Sequence, residues 1–266
     1  MTTRETTALT RRLNRYLTGH TWAVYLFFYL PILVLVVFSF NESAAFGIRN
    51  WEGLSLRWYR QMFANDNLMA ALRVSLVVAV VSTAISTVLG TAAALALERY
   101  RRWLGKKTFD ALLYLPVIIP DVTMAAMLLV FFTSLGQQLS VTTIILSHIA
   151  FNISFVSIVV RARLANLDAS LEEAAADLYA GRWQAFRRVT LPLIMPGVLG
   201  GALLAFTLSL DDVVITQFVK GPDTLPTFVF GLIKRGVTPE INAVSTLMLT
   251  ASVALVLGSL ALQRRR

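Results

Sequence analysis

Acidic side chains inside apolar stretches are the groups in this chain that could do chemistry. Asp211 and Asp212 stand side by side in Ala205-Phe206-Thr207-Leu208-Ser209-Leu210-Asp211-Asp212-Val213-Val214-Ile215-Thr216. Asp121 follows Pro120 near the middle of another apolar run. An ionisable group at that depth in a bilayer costs about 2.5–3.5 kcal/mol on insertion scales, so intramembrane acids mark pathways or find partners. Helix neighbours point about 100° apart, so one aspartate can face a lumen while the other meets a neighbouring helix. Keeping both ionised calls for a cation or donors nearby.

Each group has two readings. Asp211 and Asp212 line a pathway, or the membrane part ends near Leu210 and they sit among headgroups. The apolar run from Val213 to Val219 favours the pathway. Asp121 faces the pathway, or it caps the half-helix that follows Pro120. His148 and Asn152 sit four apart on one helical face. Interhelical hydrogen bonds are the plainer reading for them, and a place in the pathway is the other for Asn152. There is no cysteine, and two histidines are too few to build a metal site. Gly105-Lys106 is not a phosphate loop, because Tyr100 and Lys107 stand where that motif needs Gly and Ser or Thr.

The elements that must position these groups are membrane spans. The 266 residues are 56% hydrophobic and 15% charged, against about 25% charged in soluble domains. Mean hydropathy is +0.67. These values predict an all-α membrane protein of about six transmembrane helices. The apolar runs place spans at about 20–40, 69–97, 109–135, 141–160, 193–219 and 241–262. The first is too long for a typical signal-peptide core, so it reads as uncleaved. Small residues Ser82, Ala84, Ser86, Gly90 and Ala93 suit the second span to close packing. Pro116 and Pro120 break the third. The outer loop 42–68 carries an amphipathic helix, with Leu56, Tyr59, Met62 and Phe63 on one face. The outer loop 220–240 carries a short helix over 225–233.

Net charge is +9, and in a membrane protein this marks cytoplasmic loops rather than nucleic acid. Basic residues gather at Arg4, Arg11, Arg12 and Arg15, at Arg99, Arg101, Arg102, Lys106 and Lys107, at Arg161 and Arg163, at Arg182, Arg187 and Arg188, and at Arg264, Arg265 and Arg266. The distribution places both termini in the cytoplasm. The organisation is then a cytoplasmic segment 1–19, a transmembrane domain 20–263 with a cytoplasmic loop 163–192, and a cytoplasmic end 264–266.

That loop contains the polar stretch Leu171-Glu172-Glu173-Ala174-Ala175-Ala176-Asp177-Leu178-Tyr179-Ala180-Gly181. Ser170 with Glu173 reads as a capping box for a first helix. Trp183, Phe186 and Val189 recur at helical spacing, which predicts a second short amphipathic helix closed by Pro192. Glu173-Ala174-Ala175, position 179 and Val189-Thr190-Leu191-Pro192 together resemble the E-A-A loop of bacterial ABC-importer permeases. The family pattern has Gly at position 179 and Ile at 189, where this chain has Tyr179 and Val189. Gly181 is expected to supply the turn instead. Further stretches narrow the resemblance: Ser55-Leu56-Arg57-Trp58-Tyr59, Leu115-Pro116 through Pro120-Asp121, Phe206 to Asp212, and Gly236 to Ala243. They are similar to the permease subunits of spermidine/putrescine importers.

The resemblance implies a type I ABC importer permease in a bacterial inner membrane. It implies a periplasmic binding protein that delivers a polyamine, a second related permease, and two copies of an ATPase. ATP and Mg would sit on that ATPase, with no cofactor on this chain and no catalysis by it. Glu172, Glu173, Ala174, Ala175, Tyr179, Gly181, Leu191 and Pro192 would form the ATPase coupling surface. Asp211, Asp212, Asp121 and Asn152 would line the substrate pathway, where ammonium groups could pair with the acids. Other readings are the same importer class for another small solute (an amino acid derivative, an opine or a metal chelate), a proton-coupled secondary transporter, and an intramembrane hydrolase. Adjacent aspartates on one helix cannot flank a scissile bond as a dyad from two helices would, which weighs against the last.

Overall fold

The computed structural model describes residues 3–43, 50–100, 103–168, 170–235 and 239–264. Arg101, Arg102, Arg265, Arg266 and the Gly236-Val237-Thr238 part of the resemblance lie outside the described residues. Among the described residues the structure is helical, with a single isolated antiparallel bridge between Asn41 and Leu54. The helices form two compact units, 1–65 with 232–258 and 66–231 with 259–266.

In the first unit, α1 runs over Thr3–Phe38. The expected polar segment before the first span is therefore continuous helix with it. The membrane-length apolar part is Leu13–Phe38. The loop after α1 folds around Asn41. Its Nδ2 donates to the Asn50 carbonyl at 2.6 Å, and its Oδ1 accepts from the Glu52 amide at 2.9 Å. The loop leads into α2 (Arg57–Ala64). That helix is the expected amphipathic one, with a shifted face. Trp58 and Met62 are buried and Tyr59 half-buried, while Leu56 and Phe63 stay exposed. The Trp58 indole N–H donates to the Asn41 carbonyl at 2.8 Å, so this ring anchors the helix. Asn65 Nδ2 donates to Glu240 Oε1 at 3.0 Å, which ties the end of α2 to the first turn of α12 (Pro239–Arg264). α12 covers the expected sixth span.

In the second unit, α3 (Asp66–Arg99) packs along α6 (Val141–Leu164) and α9 (Leu191–Asp211), and α6 packs on α9. Small residues make this possible. A Cβ added to Gly90 would stand 2.8 Å from Val156 Cβ and 2.9 Å from the Ile153 carbonyl oxygen. A Cβ on Gly201 would stand 3.2 Å from Val156 Cα. Val156 is thus the point where three helices cross. Of the small residues expected to pack α3, Ser82, Ser86, Gly90 and Ala93 are buried and Ala84 is exposed.

The third span breaks at Pro120, one of the two prolines expected to break it, while Pro116 lies inside the continuous helix before the break. α4 (Lys106–Ile118) and α5 (Asp121–Ser134) meet at 113°. The fifth span also breaks, at Asp212–Val213, before the short α10 (Val214–Val219), which packs on α5. α11 (Leu225–Arg235) begins where the Leu225 amide donates to Ser75 Oγ at 2.7 Å. By length and composition, four helices can cross a membrane among the described residues, or five with the bent pair counted as one.

Candidate functional site

The polar stretch after α6 forms α7 (Ser170–Asp177) and α8 (Arg182–Ala185). The expected Ser170–Glu173 capping box is replaced by Asp168, whose Oδ1 accepts from the Ser170 amide at 2.9 Å. These hydrogen bonds hold the Asp168 carboxyl below its ordinary range. An ionised carboxylate at a helix start accepts the orphan amide more strongly than a hydroxyl.

α7 ends at Tyr179. The Tyr179 amide donates to the Ala176 carbonyl at 2.9 Å and the Ala180 amide to Ala175 at 3.0 Å. This is a Schellman closure, which requires a left-handed residue at Tyr179. Tyr179 has φ of 60°. The expected turn at Gly181 is therefore not formed; Gly181 is extended, with φ of −64° and ψ of 157°, and precedes α8. The closure falls at a fixed distance from the helix end, so a glycine two residues later cannot supply it.

Pro192 does not close the unit either. A π-helical turn over Phe186–Thr190 joins α8 to α9, and residues 182–211 are one continuous span. Proline is tolerated in the first turn of a helix, and the wider π turn relieves the carbonyl four residues back.

Glu172 points inward. Its Oε1 accepts from Arg99 Nη2 of α3 and from the Thr190 hydroxyl. Of the other residues expected on the coupling surface, Glu173, Ala174, Tyr179, Gly181 and Pro192 are exposed, and Ala175 and Leu191 are half-buried. A second ionic hub lies on α6. Arg161 Nε donates to Glu98 at 2.9 Å and its Nη1 to Asp110 at 2.5 Å, joining α6 to α3 and α4.

The membrane acids separate into two kinds. Asp211 is the last residue of α9 and is exposed. Asp212 is turned inward, with 14% of its side chain exposed. Its Oδ2 accepts from the Thr216 amide and the Thr216 hydroxyl, each at 2.7 Å, and Oδ1 from the Ile215 amide at 3.3 Å. Asp212 therefore caps α10, and donors compensate its charge. Asp121 is the first residue of α5, after Pro120 at the cap position, and is exposed. It is not the capping residue; its charge lies in the first turn, where the helix dipole favours it.

His148 forms the interhelical bonds expected of it, to Ser209 at 2.6 Å and Thr216 at 3.0 Å. Asn152 does not. It is fully buried, and neither its Nδ2 nor its Oδ1 has a partner among the described residues. In this structure it therefore lies inside the helix packing, with both amide atoms enclosed. Sequence reasoning missed the partners of Ser82, Ser209, Thr216, Arg99 and Thr190. Hydroxyls and a helix-end arginine carry no spacing signal, and only the packing brings them together. No group of three or more metal-ligating side chains lies together among the described residues.

Comparison with known proteins places this arrangement. Over 243 residues the chain is 42% identical to the spermidine/putrescine transport system permease protein PotC of Escherichia coli K12, covering 91% of each chain. It is 42% identical over 233 residues to the putrescine transport system permease protein PotI of the same organism, covering 85% of this chain and 82% of that one. The PotC protein of Haemophilus influenzae is 39% identical over 246 residues, with 92% and 95% covered. Among solved structures, the fold matches a bacterial ABC transporter involved in the import of the acidic polysaccharide alginate, with a TM-score of 0.76, 19% identity and 98% and 99% of the two chains covered. It matches the MetNI methionine ABC transporter with a TM-score of 0.67, 18% identity and 77% and 97% covered. Residues 86–265, from within α3 through the loop, both broken spans and α12, match the family of binding-protein-dependent transport system inner membrane components. With most of its length inside that match, the chain belongs to this family of multi-pass membrane permeases.

Proposed function

We propose that the chain is the permease subunit of an ATP-driven importer that carries putrescine or spermidine from a periplasmic binding protein into the cytoplasm. The observation that carries this reading is 42% identity over 91% of the chain to a spermidine/putrescine permease. A cationic solute also suits the exposed carboxylates of Asp211 and Asp121 at the two helix breaks. Asp211 is the stronger candidate of the adjacent pair, because Asp212 already holds its donors. Both termini and the E-A-A segment face the cytoplasm, as the basic loops favour. There Glu173, Ala174 and Tyr179 meet an ATPase subunit, which binds ATP and Mg. A second related permease completes the pathway, and ATP closure moves the docked helices as rigid bodies.

The test is ATP-dependent uptake of radiolabelled putrescine and spermidine into proteoliposomes that hold the full complex. Saturable uptake that requires ATP and weakens in Asp211→Asn supports the reading. ATPase activity stimulated by a loaded binding protein, with no polyamine uptake, would keep the importer and discard the solute.

A further inference from the structure

Between two apolar clusters of the second unit lies a polar layer. One cluster holds Val78, Ile144 and Ile215, and the other holds Ala94, Val156 and Ala205. On three helices a polar residue falls between them in sequence: Ser82 on α3, His148 on α6 and Ser209 on α9. Thr216, beside Ile215 on α10 after the break, reaches the same histidine. All four are buried.

With His148 as a neutral imidazole, the hydrogen bonds in this layer take one consistent direction. The Thr216 hydroxyl has a single proton, and it goes to Asp212 Oδ2 at 2.7 Å, because a carboxylate only accepts. At its 3.0 Å contact with His148 Nε2, Thr216 must then accept, so Nε2 carries the proton. With the ring neutral, Nδ1 accepts from Ser209 at 2.6 Å. That spends the Ser209 proton, so Ser82 donates to Ser209 at 2.9 Å. One tautomer of one histidine satisfies the whole chain, Ser82 to Ser209 to His148 to Thr216 to Asp212. Chains of this kind polarise and strengthen each link.

His148 thus holds the residue three before Asp212 and the residue four after it. Between those points the backbone leaves the helix, with Asp212 at φ of −66° and ψ of 126°. These dihedrals decide which of the two aspartates turns inward. We propose that His148 is a positioning residue of the pathway. It pins the α9–α10 break so that Asp212 is consumed as a cap and Asp211 alone is presented to the cationic solute. The solute rests on the polyamine reading above; the pin does not.

The experiment uses the full complex in proteoliposomes, with uptake of labelled putrescine normalised to assembled complex. His148→Leu removes both ring nitrogens, and His148→Gln restores one donor and one acceptor. The expected result is a KM raised about tenfold or more in His148→Leu, the scale of a lost hydrogen bond in a charged network, with a smaller change in kcat and recovery in His148→Gln. Thr216→Val should reproduce part of the effect and add little to His148→Leu. An unchanged KM, with uptake falling only as the folded protein falls, overturns the proposal. If His148→Leu does not assemble, Thr216→Val alone is read in the same way.

A second readout needs no solute. The chain has no cysteine, so Asp211→Cys gives it one thiol for a cationic methanethiosulfonate reagent, located by mass spectrometry. The thiol should label readily, and Thr216→Val should change the labelling rate by about tenfold. An unchanged rate overturns the pin. Absence of putrescine uptake with an altered labelling rate removes the polyamine reading and retains the pin.

Discussion

Arg99 at the end of α3 donates to the same carboxylate oxygen of Glu172 that takes the Thr190 hydroxyl. One side chain of the E-A-A helix therefore ties a membrane span to the root of α9. The Arg99 and Glu172 side chains are 30% and 28% exposed, so the pair contributes only about 0–1 kcal/mol to stability. On the proposed importer reading, the contact also lies between the coupling helix and a span. Arg99→Gln and Glu172→Gln are expected to leave thermal unfolding nearly unchanged and to lower solute moved per ATP hydrolysed several-fold. Measuring uptake and hydrolysis on the same proteoliposomes checks this; an unchanged ratio would make the contact purely local.

Tyr179 occupies a left-handed position with 97% of its surface exposed. A non-glycine residue there costs roughly 1–2 kcal/mol, and this side chain buries almost nothing within the chain to offset it. Tyr179→Gly is expected to raise the stability of the isolated subunit by about 1 kcal/mol, read as a higher unfolding temperature in detergent. If the ring docks on the ATPase, the same change weakens ATPase binding to the membrane subunits. Co-purification measures that directly.

Gly90 admits no side chain. Gly90→Ala puts its Cβ against Val156 Cβ and the Ile153 carbonyl, and overpacking of this kind costs about 1–3 kcal/mol. The α3–α6 pair should loosen and the unfolding temperature fall. Val156→Ala in the same chain is expected to rescue little, because Cβ of residue 156 and the backbone oxygen remain. Full rescue would show that the Val156 methyl groups alone set the spacing.

Asp168 gives a pH-dependent test. Its carboxyl is held low because it accepts from Ser170. A group with a lowered folded pKa stabilises above its unfolded value and loses that contribution as pH falls through the folded one. The start of α7 should therefore exchange amide hydrogens slowly, relative to Asp168→Asn, at neutral pH. The difference should shrink below about pH 4, the ordinary carboxylate range. The comparison at each pH removes the intrinsic exchange rate. A difference constant with pH would show that the side-chain charge plays no part.

Much of this could be read before any coordinates. Apolar run length sets where a chain must be helical in a bilayer, so the spans follow from local chemistry, as does the 113° bend at Pro120. The break at Asp212–Val213 carries no such residue. The Glu-Ala-Ala segment was legible because its helix signals lie within a few residues of one another. Turn placement was less so: Gly181 has the right chemistry, but the closure of α7 falls at Tyr179, since helix length and not residue preference fixes that point. That the two adjacent acids could face differently was legible from helix geometry, but which of them turns inward was not. Asp211 and Asp212 are chemically identical neighbours. What distinguishes them is a histidine 64 residues before Asp212 and 3.4 Å from it, with hydroxyls from α3, α9 and α10. Such partners come together only when helices pack, and their sequence separation obeys no period.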